Sequence, residues 1–356
     1  MSARLACKAA ANSVFVACRM LTPVSAWSMG VNLVAVKRAE IVIVTPALAV
    51  ANNGNWQTAQ RWAGMLSADY RVRLAAQWSQ GDESVMVALH ARRSADAIAA
   101  WRRTHPQRPL VVVLTGTDLY RDIAHDAKAQ ASLALADRLV VLHSLGVRAL
   151  PEALRSKAVV CVQSSTPRQT LAKTQRHLRA LMVGHLREEK SPQTFFDAAL
   201  ALRSRADIRL DHIGAPLDAA LGARARALGA QLPHYRWLGG LPHAATRRRI
   251  QAAHLLVHAS QMEGGAHVVI EALSSGTPVL ASRIDGNVGL LGPDYAGYFD
   301  WGDVAGLVAL LQRCRDEPAM LPLLARQCAA LAPAFAPARE QARLRALIAS
   351  LLENPP

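Results

Sequence analysis

The chain has 356 residues, a formal net charge of +15 and a hydrophobic share of 51%, enough apolar material for about two domains of ~150 residues each. No stretch of ~20 apolar residues is free of charge, so the sequence predicts no transmembrane helix and no stable membrane insertion. Five cysteines without a Cys-x-x-Cys pair predict neither a disulfide framework nor a zinc site, and they favour a reducing, cytoplasmic location.

The positive charge predicts anionic partners without identifying them. Arginines such as Arg102, Arg103 and Arg247 are spread along predicted helices, and aromatic residues make up only 5% of the chain. Proteins that bind single-stranded nucleic acid combine basic residues with aromatic stacking residues. The spread of arginines therefore favours a solvated surface over a nucleic-acid groove.

Residues 1–39 contain no acidic residue and show no clean periodicity. An apolar stretch from Ala9 to Val16 is followed by Arg19, and a targeting segment is one interpretation. The pattern of a folded domain begins only at Glu40, and Met29 is a second candidate start. We therefore expect these residues to be a disordered extension or the product of a misassigned start.

Short apolar runs of strand length alternate with helical patterns between residues 40 and 165, and one helical pattern includes Trp62 and Leu66. This alternation predicts an α/β domain with a parallel, doubly wound sheet. The predicted strands are 41–44, 72–74, 84–90, 110–115, 138–142 and 158–162.

A polar segment, 163–176, interrupts the alternation and is the predicted linker. A second α/β domain is predicted over 179–335, and residues 336–356 form a predicted amphipathic helix that packs back on the first domain. Two such domains predict a cleft between the carboxyl ends of their strands, where open sheets bind ligands. The predicted strands of the second domain are 179–184, 208–210, 235–238, 255–257 and 279–281.

The most informative motif contains two carboxylates. Glu263 precedes the glycine pair Gly264 and Gly265, which lets the backbone approach a ligand closely. A helix is predicted over 266–275, and its free N–H groups favour an anion. Glu271 lies about one and a half turns into that helix, within reach of a ribose attached to a bound phosphate. The alternative is a purely structural helix with a solvated Glu271.

Together with Gly276, Pro278 and Val279, this motif resembles the GT-B glycosyltransferases, in particular family 4 of retaining nucleotide-sugar enzymes. The resemblance spans roughly residues 40–350 and implies two Rossmann-like domains that face a cleft. It implies that Glu271 binds the ribose and that Glu263 binds the sugar as a catalytic residue. The residues implied to face the diphosphate and the sugar through their backbone are Gly264, Gly265, Ala266 and His267.

A second segment of this resemblance runs from Gly184 to Lys190, where the family has an arginine and a lysine that clamp the diphosphate. Lys190 matches the lysine and is implied to stabilise the leaving UDP, the largest electrostatic contribution open to such an enzyme. His185 replaces the arginine. The missing charge is supplied either by Arg187 or by His185 when protonated. The structural alternative for Lys190 is a surface lysine at a helix start.

A third segment lies in the N-terminal half, in the loops that follow predicted strands. The resemblance implies that His90, at the end of the third strand, is a catalytic and acceptor-binding residue. A buried strand-end histidine with satisfied partners is the structural alternative. The other implied acceptor-binding residues are Asn53, Gly54, Asn55, Thr117 and Asp118.

Four segments resemble a narrower group, the selenosugar synthases of selenoneine biosynthesis: 88–95, 114–123, 262–266 and 282–292. This resemblance implies sugar transfer from UDP-N-acetylglucosamine or UDP-glucose to selenophosphate, with release of UDP and phosphate. It also implies no metal, no cofactor, and functional links to the selenophosphate synthetase and the later selenoneine-forming enzyme.

Arg92 and Arg93 suit a small anionic acceptor, because guanidinium groups pair bidentately with phosphate-type oxygens. His267 replaces an asparagine expected of this group. Three alternatives stay open: a family 4 hexosyltransferase with a lipid or saccharide hydroxyl acceptor, a UDP-sugar epimerase, and a nucleic-acid-binding protein. The last would need a contiguous arginine surface and steep salt dependence.

Overall fold

The computed structural model describes residues 38–46 and 54–355, and its first unit is built around a six-stranded parallel sheet. Each strand predicted from the sequence is present, with ends that differ by a few residues. The strands are β1 (Glu40–Val44), β2 (Arg71–Ala75), β3 (Val85–Leu89), β4 (Leu110–Leu114), β5 (Arg138–Val141) and β6 (Ala158–Val160). Their order in the sheet is β2-β1-β3-β4-β5-β6.

Helices cover both faces of this sheet. Ile41 and Ile43 belong to the core on one face, and Val42 and Val44 belong to the core on the other. Successive strand residues point to opposite faces, so a continuous apolar run fits a sheet that is buried on both sides. The helices are α1 (Gly54–Leu66), α2 (Ala95–Thr104), α3 (Ile123–His125) and α4 (Ala127–Leu135).

The second unit contains another six-stranded parallel sheet, in the order β12-β11-β10-β7-β8-β9. Its strands are β7 (Leu178–Val183), β8 (Ile208–Ile213), β9 (Tyr235–Trp237), β10 (Leu255–His258), β11 (Val279–Ser282) and β12 (Tyr298–Phe299). The two-residue strand β12 has no sequence prediction, because it is too short to show a period.

Seven helices of the described chain accompany this sheet. The linker between the two sheets, predicted over 163–176, contains neither helix nor strand. The helices are α5 (Pro192–Ala201), α6 (Ala219–Gln231), α7 (His243–Ala252), α8 (His267–Leu273), α9 (Asp285–Leu291), α10 (Val304–Asp316) and α11 (Met320–Leu331).

The last helix, α12 (Pro337–Glu353), returns to the first unit. Its buried residues follow the spacing of one helical face and pack with Trp62 and Leu66 of α1 in a single apolar cluster. The end of the chain thus completes the core on one face of the first sheet. The residues of this helical face are Leu344, Leu347, Ile348 and Leu351.

Each sheet has a point where the strand order reverses. In the first sheet β1 lies between β2 and β3, and in the second β7 lies between β8 and β10. Ligands of open α/β sheets bind outside the carboxyl ends of the strands at such points. The loops after β1, β3, β7 and β10 are therefore the positions for a site, and they contain several residues singled out from the sequence, among them His90, Lys190 and Glu263.

Two predictions concern residues outside the described part of the chain. They are the interpretation of 1–37 and the acceptor-binding role of Asn53. Among the described residues, no single helix combines the length and the apolar character needed to cross a bilayer. One pair, Val304–Asp316 with Met320–Glu353, meets the criteria only when taken together, and it is bent by 103°.

Candidate functional site

Lys190 and Glu263 meet at the carboxyl ends of β7 and β10. The Lys190 ammonium donates to Glu263 Oε1, and His258 Nε2 lies 3.2 Å from the same oxygen. Burial by itself would raise the pKa of Glu263, but Lys190 and His258 outweigh it and hold this pKa well below its usual range. Lys190 is thus a partner of the buried carboxylate, not the surface lysine of the structural alternative.

Glu271 lies inside α8 with only 4% of its surface exposed, so it is not a solvated helix residue. Its Oε1 atom is 2.5 Å from His243 Nε2, 3.4 Å from His267 Nδ1 and 3.9 Å from Arg247 Nε. Burial would raise the pKa of Glu271, but hydrogen bonds from His243 and His267 lower it well below its usual range. The carboxylate is therefore ionised and held from three sides.

The side chains around Glu271 also lie close enough together to ligate a metal ion, which was not expected from the sequence. Within residues 38–46 and 54–355, His243, His267 and Glu271 place one ligand atom each within 4.8 Å of one another. The sequence showed no cluster with metal-ligand spacing, because His243 belongs to α7 and the other two to α8. Each histidine also pairs with the carboxylate directly, so hydrogen bonding alone accounts for the arrangement.

Gly264 and Gly265 have a packing role that the sequence did not predict. A Cβ on Gly264 would lie 2.4 Å from the Thr115 carbonyl carbon and 2.6 Å from the Gly116 nitrogen. A Cβ on Gly265 would lie 2.7 Å from Leu142 Cβ. Gly264 lets the loop after β10 touch the backbone after β4, and Gly265 lets it touch the Leu142 side chain after β5, so the pair serves a contact between the two units.

Two further contacts join the same faces of the two units. A Cβ on Gly289 of α9 would lie 2.3 Å from His143 Nδ1, and His143 Nε2 is 2.9 Å from the Tyr120 hydroxyl. Arg121 donates to Glu189 across the cleft at 3.1 Å. The carboxyl ends of the two sheets therefore face each other in direct contact.

We expect Gly264→Ala to lower the melting temperature and the turnover, because backbone atoms on both sides of the new Cβ would have to separate. Overpacking of this kind costs about 1–3 kcal/mol. Gly229→Ala in α6 is the matched control, since no atom lies within 4 Å of its added Cβ. Thermal unfolding measures both variants, and an unchanged melting temperature for Gly264→Ala would contradict the contact.

His90 follows β3 and is buried, with a left-handed φ of 74° that is uncommon for a residue with a side chain. Its Nδ1 accepts from the Arg93 N–H at 3.3 Å, so Nε2 carries the proton and donates to Thr117 Oγ1 at 3.1 Å. Burial lowers the pKa of His90 despite the nearby Asp118 and Asp122. The histidine is neutral, and both ring nitrogens have partners within the first unit.

Asp118 is fully buried, and its carboxylate shapes the loop after β4. It accepts from the N–H groups of Ala91, Thr115 and Gly116 at 2.8–3.0 Å. The acceptor contact predicted for Asp118 therefore does not fit, because its oxygens are committed to backbone groups. Asp118 instead fixes the turn that carries Thr117.

Arg92 and Arg93 are both exposed at the turn after β3. Arg92 Nε lies 3.3 Å from Asp122 Oδ2, and Arg121 donates to Asp122 Oδ1 at 3.0 Å. A line of charges thus runs from Arg92 through Asp122 to Arg121, which pairs with Glu189 across the cleft. Arg93 has its side chain on the same exposed turn.

Gly54 and Asn55 form the first turn of α1, directly after the undescribed part of the loop. Gly54 is exposed, and its carbonyl accepts from Thr58 Oγ1 at 2.9 Å. These two predicted acceptor-binding residues therefore lie at the carboxyl end of β1, on the reversal point of the first sheet.

His185 and Arg187 lie in the loop after β7 with Lys190. The Ala215 N–H donates to His185 Nδ1 at 3.1 Å, which leaves the proton of a neutral ring on Nε2. Burial, Arg187 and Lys190 all lower the pKa of His185. In the described part of the chain, Arg187 Nε is buried and has no hydrogen-bond partner, although Glu189 Oε2 lies 3.9 Å away. This difference favours Arg187 over a protonated His185 as the second cation.

Five residues of this region had no functional interpretation from the sequence. None of them belongs to the motif: His258 ends β10, five residues before Glu263, and the other four lie on other helices, so their contacts depend on packing and not on a local signal. They are Arg61, His243, Arg247, His258 and Glu340.

The two facing parallel-sheet units define a GT-B fold, which confirms the predicted fold class. Residues 163–311 match the family described as "Glycosyl transferases group 1". A comparison with curated protein sequences finds no match.

Three solved structures illustrate the likeness of fold. Sucrose-phosphate synthase from Thermosynechococcus elongatus has a TM-score of 0.73 at 16% identity, over 89% of this chain and 100% of that chain. Anabaena HepE in complex with UDP-glucose has a TM-score of 0.71 at 13% identity, over 88% and 100%. A TarM mutant from S. aureus has a TM-score of 0.62 at 10% identity, and the match spans 74% of this chain and 55% of TarM. At 10–16% identity, these similarities show that the fold is shared.

Proposed function

We propose that this protein transfers a sugar from a UDP-sugar to selenophosphate and so forms a C–Se bond. The observation that carries the donor half is the Lys190–Glu263 pair beside Glu271, at the point where the strand order of the second sheet reverses. The fold neighbour HepE was solved with UDP-glucose, which supports a uridine nucleotide as the donor. The particular sugar, glucose or N-acetylglucosamine, belongs to the same proposal.

On the donor side, Glu271 accepts hydrogen bonds from the ribose, and Glu263 accepts them from the sugar hydroxyls. Lys190 and Arg187 stabilise the charge that develops on the departing diphosphate. The backbone from Gly264 to His267 lies beside that diphosphate. In this arrangement the protein contributes positioning and charge stabilisation, and the reaction needs no metal or organic cofactor.

On the acceptor side, the contact between the two units supports a small acceptor. Three of the segments that resemble selenosugar synthases, 114–123, 262–266 and 282–292, meet in this contact. Backbone touching backbone at Gly264 and Gly116 favours a small anion over a saccharide chain or a lipid. Arg92 and Arg93, with Arg121, supply positive charge beside His90.

The proposed chemistry has two bond exchanges. The selenium of selenophosphate attacks C1 of the sugar, the Se–C1 bond forms, and UDP leaves with the electron pair of the C1–O bond. Water then attacks phosphorus and breaks the Se–P bond, which releases phosphate and the selenosugar. The selenium is already anionic and needs no strong general base, which fits a neutral His90 whose nitrogens both have partners.

We expect Arg187→Ala to lower kcat by roughly tenfold or more, as the loss of one charge-stabilising group would, whereas His185→Gln should have a smaller effect. The reason is that His185 has a lowered pKa and is neutral above its usual value of about 6.5. For the same reason, the activity of the native protein should not fall between pH 6.5 and 8 through loss of a His185 proton. Steady-state kinetics across this range test both statements, and the reverse order of the two variants would contradict them.

The decisive experiment is incubation of the protein with UDP-N-acetylglucosamine or UDP-glucose and selenophosphate, followed by mass spectrometry. A hexose or hexosamine product with the selenium isotope pattern, formed together with UDP, is the expected result. Turnover of the UDP-sugar on a hydroxyl acceptor, without a selenium product, would instead favour the family 4 hexosyltransferase. The cytoplasmic location and the links to the selenophosphate synthetase and the selenoneine-forming enzyme remain predictions.

A further inference from the structure

Arg61 of α1 contacts the nucleotide half of the site, although it belongs to the other unit. Its guanidinium is fixed by Glu340 of α12, to which Nε donates at 2.9 Å and Nη2 at 3.1 Å. This bidentate geometry leaves Nη1 directed at His267 Nε2, 3.2 Å away. Arg61 therefore connects the C-terminal helix to the motif helix α8.

Glu340, which holds Arg61 in place, is buried and accepts several further hydrogen bonds. This carboxylate is 1% exposed and also accepts from Trp62 Nε1 at 2.6 Å and from Ser164 N and Oγ at 2.8 and 2.5 Å. Ser164 is one of the first residues of the linker between the units. A buried carboxylate with this many donors cannot move without breaking several bonds, so Arg61 is held in a defined position.

His267 Nε2 faces two groups with opposite requirements. The Ser164 carbonyl, 3.0 Å away, is a hydrogen-bond partner only if Nε2 carries a proton. Arg61 can only donate, so it is a partner only if Nε2 carries a lone pair. The two neutral tautomers of His267 therefore have different partners at Nε2. They also differ at Nδ1, which carries a proton in one tautomer and a lone pair in the other.

The other nitrogen, Nδ1, lies 3.4 Å from Glu271 Oε1. With the proton on Nδ1, His267 donates to the carboxylate; with the proton on Nε2, a lone pair faces the carboxylate and repels it. The contacts that described residues make with this carboxylate all fall on Oε1, so an oriented Glu271 presents Oε2 to a ligand. The tautomer of His267 thus determines how firmly Glu271 is oriented.

We propose that Arg61 is a positioning residue for the nucleotide site, which keeps the proton of His267 on Nδ1 so that the imidazole donates to Glu271 and not to the Ser164 carbonyl. The inference rests on the proposed function, in which Glu271 accepts the ribose hydroxyls. It links the C-terminal helix, the start of the linker and α1 to nucleotide affinity through one side chain. Arg61 itself contacts neither the nucleotide nor the reacting atoms.

The test uses a paired variant, Arg61→Met with Glu340→Gln, because Arg61→Met alone would leave Glu340 buried without its cation. Glu340→Gln alone keeps Arg61, and the amide oxygen can still accept from its guanidinium, so this variant is the matched control for the loss of the carboxylate charge. The full chain is labelled with ¹⁵N-histidine, EDTA is present, and long-range ¹⁵N–¹H spectra report which nitrogen of His267 is protonated. The signal of His267 is identified by its loss in His267→Asn.

In the native chain and in Glu340→Gln we expect the proton on Nδ1, and in the paired variant on Nε2. Calorimetry should show UDP affinity falling roughly tenfold in the paired variant, a typical coupling for residues of one network. In the His267→Asn background the same two substitutions should change the UDP affinity by less than about twofold, since asparagine has no tautomer to select.

Three outcomes would overturn this role for Arg61: a proton that stays on Nδ1 in the paired variant, an unchanged UDP affinity in that variant, or an equal loss of affinity in both backgrounds. A merely structural role would produce the last of these. If the native chain bound no UDP, the proposed function would fail instead. The spectra would then still show whether Arg61 sets the tautomer of His267, so the two failures are distinguishable.

Discussion

Lys190→Ala is expected to lower kcat by ~10²-fold or more, the usual cost of removing one preorganised charge-stabilising group. Lys190 lies at the carboxyl end of β7 and pairs with the buried Glu263, so the variant loses both the cation for the leaving diphosphate and the partner that keeps Glu263 ionised. Steady-state kinetics with a UDP-sugar measure the effect.

The matched control is Lys157→Ala. Lys157 donates to the carbonyl groups of Ala134 and Ala136, just before β6 and therefore at the opposite end of the first sheet from the cleft. Its removal should leave kcat within about twofold, as for a surface substitution. Near-normal turnover of Lys190→Ala, with an unchanged melting temperature, would exclude Lys190 from the site.

Glu271→Gln is expected to weaken UDP binding by about 10- to 100-fold, because hydrogen bonds to a charged group contribute about 1.5–3 kcal/mol. The amide keeps the shape of the side chain and removes the charge held by His243, His267 and Arg247. Isothermal calorimetry with UDP measures the change.

A comparison with 2′-deoxy-UDP identifies the contact itself. The native protein should bind UDP more tightly than 2′-deoxy-UDP, and Glu271→Gln should largely lose this preference. The control is Glu317→Gln, an exposed carboxylate whose partner is Arg313 at 3.0 Å. A preference for UDP that persists in Glu271→Gln would show that another group binds the ribose.

Local sequence patterns predicted most of the architecture. Central strands such as β1, β3, β4 and β10 appear as apolar runs because both of their faces are buried, whereas the edge strands β2 and β9 include exposed arginines. The helix α12 appears through the spacing of Leu344, Leu347, Ile348 and Leu351. The Glu263–Glu271 motif and Lys190 could also be found, because each follows a strand that the periodicity locates and matches a segment of the family resemblance.

The partners of those residues could not be found in the same way. His258 and His243 lie on other elements, and sequence spacing does not indicate which side chains meet across two helices or two loops. The choice between Arg187 and His185 was open for a related reason, because a pKa depends on burial and on neighbouring charges.

By itself, the sequence determined two parallel α/β units, the linker, the terminal helix and the position of two acidic residues and a lysine after strand ends, because period and strand-end position are local properties. Only the tertiary structure decided that Gly264 and Gly265 serve the contact between units and that Asp118 holds a turn. It also decided that Arg61 and Glu340 reach His267. These facts depend on the distance between atoms far apart in the chain, which packing sets and local pattern does not encode.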